Sequence, residues 1–80
     1  MTTKGEYRVG INFNPSGDDM VGQIKRQAAD LIDLIQTVPT ALIANEAQFQ
    51  EVGRLKALAQ TNIETAAMYA VKAATKGAPE

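Results

Sequence analysis

The residues with the clearest chemical potential lie in "NFNPSGDDMVGQIKR", positions 12 to 26. Phe13 offers a ring face on which a planar base can stack. Arg26 offers a flat fork of donors suited to a phosphate, and Lys25 stands beside it. Adjacent helix positions point about 100° apart, so the two cations cannot both face an apolar seam. They are expected to flank one edge of a helix. A plainer reading uses the same residues: Arg26 pairs with Asp30 one turn on, and Phe13 packs in a core. Spacing alone leaves both open. A ring, Phe13 or Tyr7, reaches the cations only if its segment folds back over the helix or onto a neighbouring subunit.

Other chemistry is scarce. The chain has no histidine and no cysteine, which removes disulfides, zinc sites and the usual neutral-pH base. Serine or threonine nucleophiles therefore lack an activating partner. Glu46, Glu51 and Glu64 fall on a helix expected to be largely surface, with nothing to mark a paired acid and base. No calcium loop and no phosphate-loop motif appears. Asp18 and Asp19 would repel a phosphate at the helix start that follows the turn. We expect a protein that is not an enzyme and holds neither metal nor cofactor. Arg54 is either a surface cation or, if several copies meet on a symmetry axis, an invitation to an anion between them.

A net charge of −1 argues against a duplex-DNA partner. No apolar stretch is long enough to span a bilayer, and no signal-peptide core is visible, so a soluble cytosolic domain is expected. Its 80 residues make one small domain.

The elements that must position these residues follow from periodicity. Residues 1–5 read as frayed. Between Tyr7 and Phe13 apolar residues alternate (Tyr7, Val9, Ile11, Phe13), so residues 6–17 are expected to form an extended arm and a turn at Asn14-Pro15-Ser16-Gly17. The arm lies across another molecule or packs on its own helices. Ser16 or Asp18 caps a first helix over 18–37, with apolar residues at Met20 or Val21, Ile24, Ala28, Leu31, Ile32 and Ile35. Thr40 or Asn45 starts a second helix that reaches about 76. Its apolar positions include Leu42, Phe49, Val52, Leu55, Ala59, Ile63, Ala66, Ala70 and Ala73, and Gly53 marks a place for a break. The fold class is all-α: a helical hairpin, short helix then long, with an extended N-terminal arm. Leu58, Ala67, Met68 and Val71 flank the seam of the second helix, more apolar surface than one partner helix can cover. Burial then favours a closed homo-oligomer.

The aromatic-x-Pro turn at Phe13, the helix "IKRQAADLIDLI" and the run "RLKALAQTNIETAAMYAVKAATK" carry a resemblance. The last contains an R-x₆-T-x₂-E-x₃-M-[WY] pattern at Arg54, Thr61, Glu64, Met68 and Tyr69. Over residues 7–76 the chain resembles the small phage proteins of the anti-CBASS sponge family, the Acb2/Tad1-type helical hairpins. The resemblance implies a compact homohexamer that binds cyclic dinucleotides such as 3′,3′-cGAMP in pockets between protomers and does not cleave them. Such a sponge works in the cytoplasm of the infected bacterial host, where it starves CBASS effectors of their signal. Carried over by position, Phe13 is the stacking ring, with Asn14 and Pro15 in the same turn. Arg26 meets phosphate and Lys25 is its neighbour. Phe13 stands where a tyrosine is often found, which leaves Tyr7 as an alternative ring. A second, threefold pocket for cyclic trinucleotides would involve Arg54, but Ala28 replaces a small hydroxyl residue associated with it. The rival reading is a helical structural or assembly protein, or one that grips a host target through its arm, without nucleotide binding.

Overall fold

The computed structural model describes residues 1–40 and 45–79. Three helices make up the regular structure among them: α1 (Lys4–Val9), α2 (Asp19–Gln36) and α3 (Glu46–Ala74). The chain is long and flat, 56 × 29 × 13 Å, so the helices form a single layer. Cross-helix bonds give the directions. Ile32 of α2 meets Gln60 of α3 while Gln36 meets Lys56, so these two are antiparallel. Lys4 meets Gln60 while Arg8 meets Glu64, so α1 runs parallel to α3 with matched four-residue steps.

The expected hairpin is present, within a residue or two at most ends. Asp18, not Ser16, caps α2 by accepting from the Met20 N–H at 2.8 Å. Asn45 caps α3 by accepting from Gln48 N–H at 2.8 Å. The helix passes through Gly53 without a break and ends two residues short of 76. Leu42, assigned above to the second helix, lies outside the described residues.

The N-terminal arm departs from expectation. Residues 4–9 are helical, neither frayed nor extended. Thr3 and Glu6 form a reciprocal capping box, and Gly10 ends the helix in the left-handed region at φ 65°. The apparent alternation from Tyr7 to Phe13 straddles that helix end. Six residues cannot hold a helix alone in water, so docking sustains it. Gly5 supplies the docking point: its backbone lies so close to α2 that a Cβ would sit 2.1 Å from the Ala29 carbonyl oxygen. Its N–H donates to Asp33 at 2.7 Å.

The core is small. Val21, Ala29, Ile32 and Ala67 are its buried apolar residues among those described. Gln60, buried at 2% exposure, ties all three helices: it donates to the Ile32 carbonyl and to Gln36, and accepts from Lys4. Lys56 donates to the carbonyls of Gln36 and Val38 and so closes the C-terminal end of α2, which has no basic residue in its own last turn. Meanwhile Phe13, Leu34, Phe49, Met68 and Tyr69 are each more than half exposed. No described helix is long and apolar enough to cross a membrane.

Candidate functional site

The site builds from the turn between α1 and α2. After Gly10, the Phe13 N–H donates back to the Gly10 carbonyl at 2.9 Å, closing a tight loop. Asn14 then organises the next turn: its carbonyl accepts from Gly17 N–H at 3.1 Å, and its amide donates to the Asp18 carbonyl at 3.0 Å. Gly17 takes φ 63°, which a side chain would oppose. Two successive turns thus present Phe13 and Pro15 outward, with Phe13 72% exposed.

Lys25 pins this arrangement from beneath. It is 8% exposed, against the expectation of a solvated edge. Its ammonium donates to the Gly10 carbonyl at 3.1 Å and to the Phe13 carbonyl, and lies 5.4 Å from the Phe13 ring centroid. A charge taken from water must find such partners, and two carbonyls with a ring face provide them. The physical reason for its burial is helical register. Val21, Lys25, Ala29 and Ile32 form one stripe on α2, all buried.

Arg26, next on α2, points to solvent. It pairs with Glu6 of α1 at 2.8 Å and with Asp30 at 2.8 Å. The Arg26 hydrogen bond, aided by the Thr3 backbone, holds the Glu6 carboxyl below its usual range. Glu6, followed by Asp30, holds the Arg26 guanidinium still more firmly protonated. The pairing expected for Arg26 with Asp30 is present, and the Glu6 contact bridges the helices.

Two clefts open on either side of Lys25. One, of about 240 Å³, is lined by Phe13, Asn14, Pro15 and Lys25 with Val71 and Thr75 of α3. The other, of about 340 Å³, lies between α1 and α3, with Arg8, Glu64, Met68 and Val71 at its walls. Arg8 donates through Nε to Glu64 at 2.7 Å and through Nη2 to Thr61 at 3.2 Å. A shallow outer groove of about 300 Å³ holds Tyr7, Glu6 and Phe13 together.

The structure therefore brings together Phe13, Asn14, Pro15 and Lys25, with Tyr7 on the outer face of the same turn. Arg26 joins them through Glu6. Arg54 stands apart: it is in the first third of α3, in a two-pronged pair with Glu51 at 2.7 and 2.8 Å. That pair lowers the Glu51 carboxyl and raises the Arg54 guanidinium. Arg8 is a site residue that the apolar alternation of Tyr7 to Phe13 hides. With 4–9 read as a helix, Lys4 and Arg8 fall one turn apart on a shared face, opposite Gln60 and Glu64 at the same spacing.

A family model described as the Acb2/Tad1 hairpin domain matches residues 6–75, which include both clefts and all three helices in whole or part. The chain belongs to the Acb2/Tad1 hairpin family. Neither a curated protein nor a solved structure matches it. The family is one of binding, sponge-type proteins, and it implies cyclic oligonucleotides in general as the ligand class. In this Acb2/Tad1 hairpin the exposed Phe13 ring stands on a turn pinned by Lys25, and the next residue of α2, Arg26, ties that helix to Glu6 of α1.

Proposed function

We propose that the protein is a sponge that captures cyclic dinucleotides such as 3′,3′-cGAMP, holds them unchanged and so blocks CBASS-type immunity in the cytoplasm of the infected host. The observation that carries this reading is Phe13, an exposed ring held on a rigid turn with Arg26 one step away on the same helix as its pin. A base stacked on such a ring gains roughly 1–3 kcal/mol, and a ring fixed in advance loses little entropy on binding. Arg26 exchanges part of its carboxylate pairing for a phosphate. Affinity weakens as salt rises, because the ligand's charge is neutralised at a partly exposed joint. Sequestration acts by mass action: protein in excess over the signal holds free ligand below the effector's threshold.

The pocket is completed by copies of the chain. Leu31 and Leu34 of α2 and Phe49, Leu55, Leu58, Met68 and Tyr69 of α3 are exposed, and a closed assembly, a hexamer, buries them. Arg54 forms a second pocket for cyclic trinucleotides where it releases Glu51. Isothermal titration with cyclic dinucleotides, paired with the molar mass in solution with and without ligand, tests the reading. Micromolar or tighter binding by an oligomer, with the ligand recovered intact, supports it. A second reading draws on the exposed Phe49, Leu55 and Leu58 of α3: an assembly protein whose helices only pack on partners. An oligomer indifferent to every cyclic nucleotide favours that one.

A further inference from the structure

Thr61, Glu64 and Met68 of the α3 run have no part in the stacking and phosphate contacts above, yet they converge on one place. Arg8 of α1 binds Thr61 and Glu64, and Met68 walls the cleft that Arg8 and Glu64 face. Resting on the sponge reading, we infer that this cleft is a base-recognition subsite selective for guanine, with Glu64 as the residue that reads the base edge.

The argument starts from the donors and acceptors left over. Arg8 Nε occupies Glu64 Oε1, and Arg8 Nη2 occupies Thr61. Glu64 Oε2 and Arg8 Nη1 have no hydrogen-bond partner among the described residues. A carboxylate oxygen only accepts, and a guanidinium only donates. The ligand edge that fits Glu64 therefore carries N–H groups. Guanine presents two side by side, N1–H and the 2-amino group. Adenine presents an acceptor, N1, next to its amine, and that acceptor would face the carboxylate charge.

The surroundings suit a base. Met68 and Val71 supply an apolar wall for the ring face, and a sulfur beside an aromatic is a favourable neighbour. A volume of about 340 Å³ lies at the lower end of small-molecule sites and accommodates one base. Lys25 and Val71 line both this cleft and the Phe13 cleft. One ring-closed dinucleotide can thus span them, one base against Phe13 and the other against Glu64.

The test is titration of the intact protein with three ligands: 3′,3′-cyclic di-GMP, its inosine counterpart lacking the 2-amino groups, and cyclic di-AMP. The wild-type protein should bind cyclic di-GMP about tenfold tighter than either of the others. Glu64→Gln keeps the size but turns an amide N–H₂ toward the guanine donors, and should remove that preference. Equal affinity of the wild-type protein for all three overturns the subsite and leaves the sponge reading standing. No binding of any of them overturns the subsite, and no binding of 3′,3′-cGAMP as well overturns the sponge reading with it. A folded Glu64→Gln protein that retains the guanine preference also overturns the assignment. Should that variant unfold through loss of the Arg8 pair, the wild-type ligand series decides alone.

Discussion

Replacing Lys25 with methionine is the most revealing single perturbation of the turn. Methionine keeps the apolar stem on the buried stripe of Val21, Ala29 and Ile32 and removes only the ammonium. The Phe13 carbonyl then loses its donor, while the Gly10 carbonyl loses the ammonium but keeps the Phe13 N–H. Leaving a buried acceptor unpaired costs about 1–3 kcal/mol, and the lost ring contact adds about 0.5–1. Water reaches part of the turn, and the variant no longer buries a charge, so the net should be near 2 kcal/mol. That is a large share of a small domain's stability. The loss should be local. The Phe13 amide bonds to the Gly10 carbonyl, so its hydrogen exchange reports the turn directly. In Lys25→Met this amide and that of Ile11 should exchange much faster, while amides in the middle of α2 and α3 change little. Urea unfolding at fixed protomer concentration should show a lower midpoint with an unaltered slope. An unchanged midpoint together with unchanged Phe13 protection would refute the reasoning that the ammonium holds the turn.

The other predictions concern separate parts of the molecule. Gly5→Ala pushes a methyl into the Ala29 carbonyl, so α1 should undock at a cost of about 1–3 kcal/mol; denaturation should show it, with loss of α1 amide protection. Arg26→Ala should abolish cyclic dinucleotide binding in titration while the solution mass stays that of the assembly; full affinity in that variant rules Arg26 out of the site. The pH dependence follows from Glu6, whose carboxyl is lowered first by Arg26 and then by the Thr3 backbone. A lowered carboxyl contributes stability above its unfolded value, near 4.5, and that contribution is lost as pH falls through the lower folded value. Glu6→Gln should therefore flatten the acid limb of the stability curve below that point; an acid limb identical to the wild type's would show that the pair contributes nothing.

How much of this was legible depends on what each residue's neighbours in sequence could say. The two long helices were, because caps at Asp18 and Asn45 bracket apolar residues spaced by three and four. The six-residue α1 was not, because its stability comes from Gly5 meeting Ala29, a contact between residues far apart in sequence. A local signal existed all the same in Thr3 and Glu6, the capping box, and it outranks an alternation of four residues that crosses a glycine. Lys25 shows a different limit. Hydropathy sorts it with Arg26 as a surface cation, whereas register puts it between Val21 and Ala29, one turn from each. Register prevails when the charge finds acceptors, and the turn supplies them because Gly10 ends α1 there and frees carbonyls.

The same logic connects the fold to the site. A buried lysine is tolerable only while the turn carbonyls face it, and the turn keeps that shape only while α1 is docked. Gly5 on Ala29 and Arg8 on Glu64 do the docking, one at each end of α1. Any ligand that engages Arg8 or Glu64 therefore bears on the α1 dock, and through it on the Phe13 turn. The two clefts should then respond as one unit. Phe13→Ala and Glu64→Gln combined should cost less affinity than the sum of the single losses, because either change alone loosens the element that both clefts share. Strict additivity in that double-mutant cycle would separate the clefts and leave α1 as packing only.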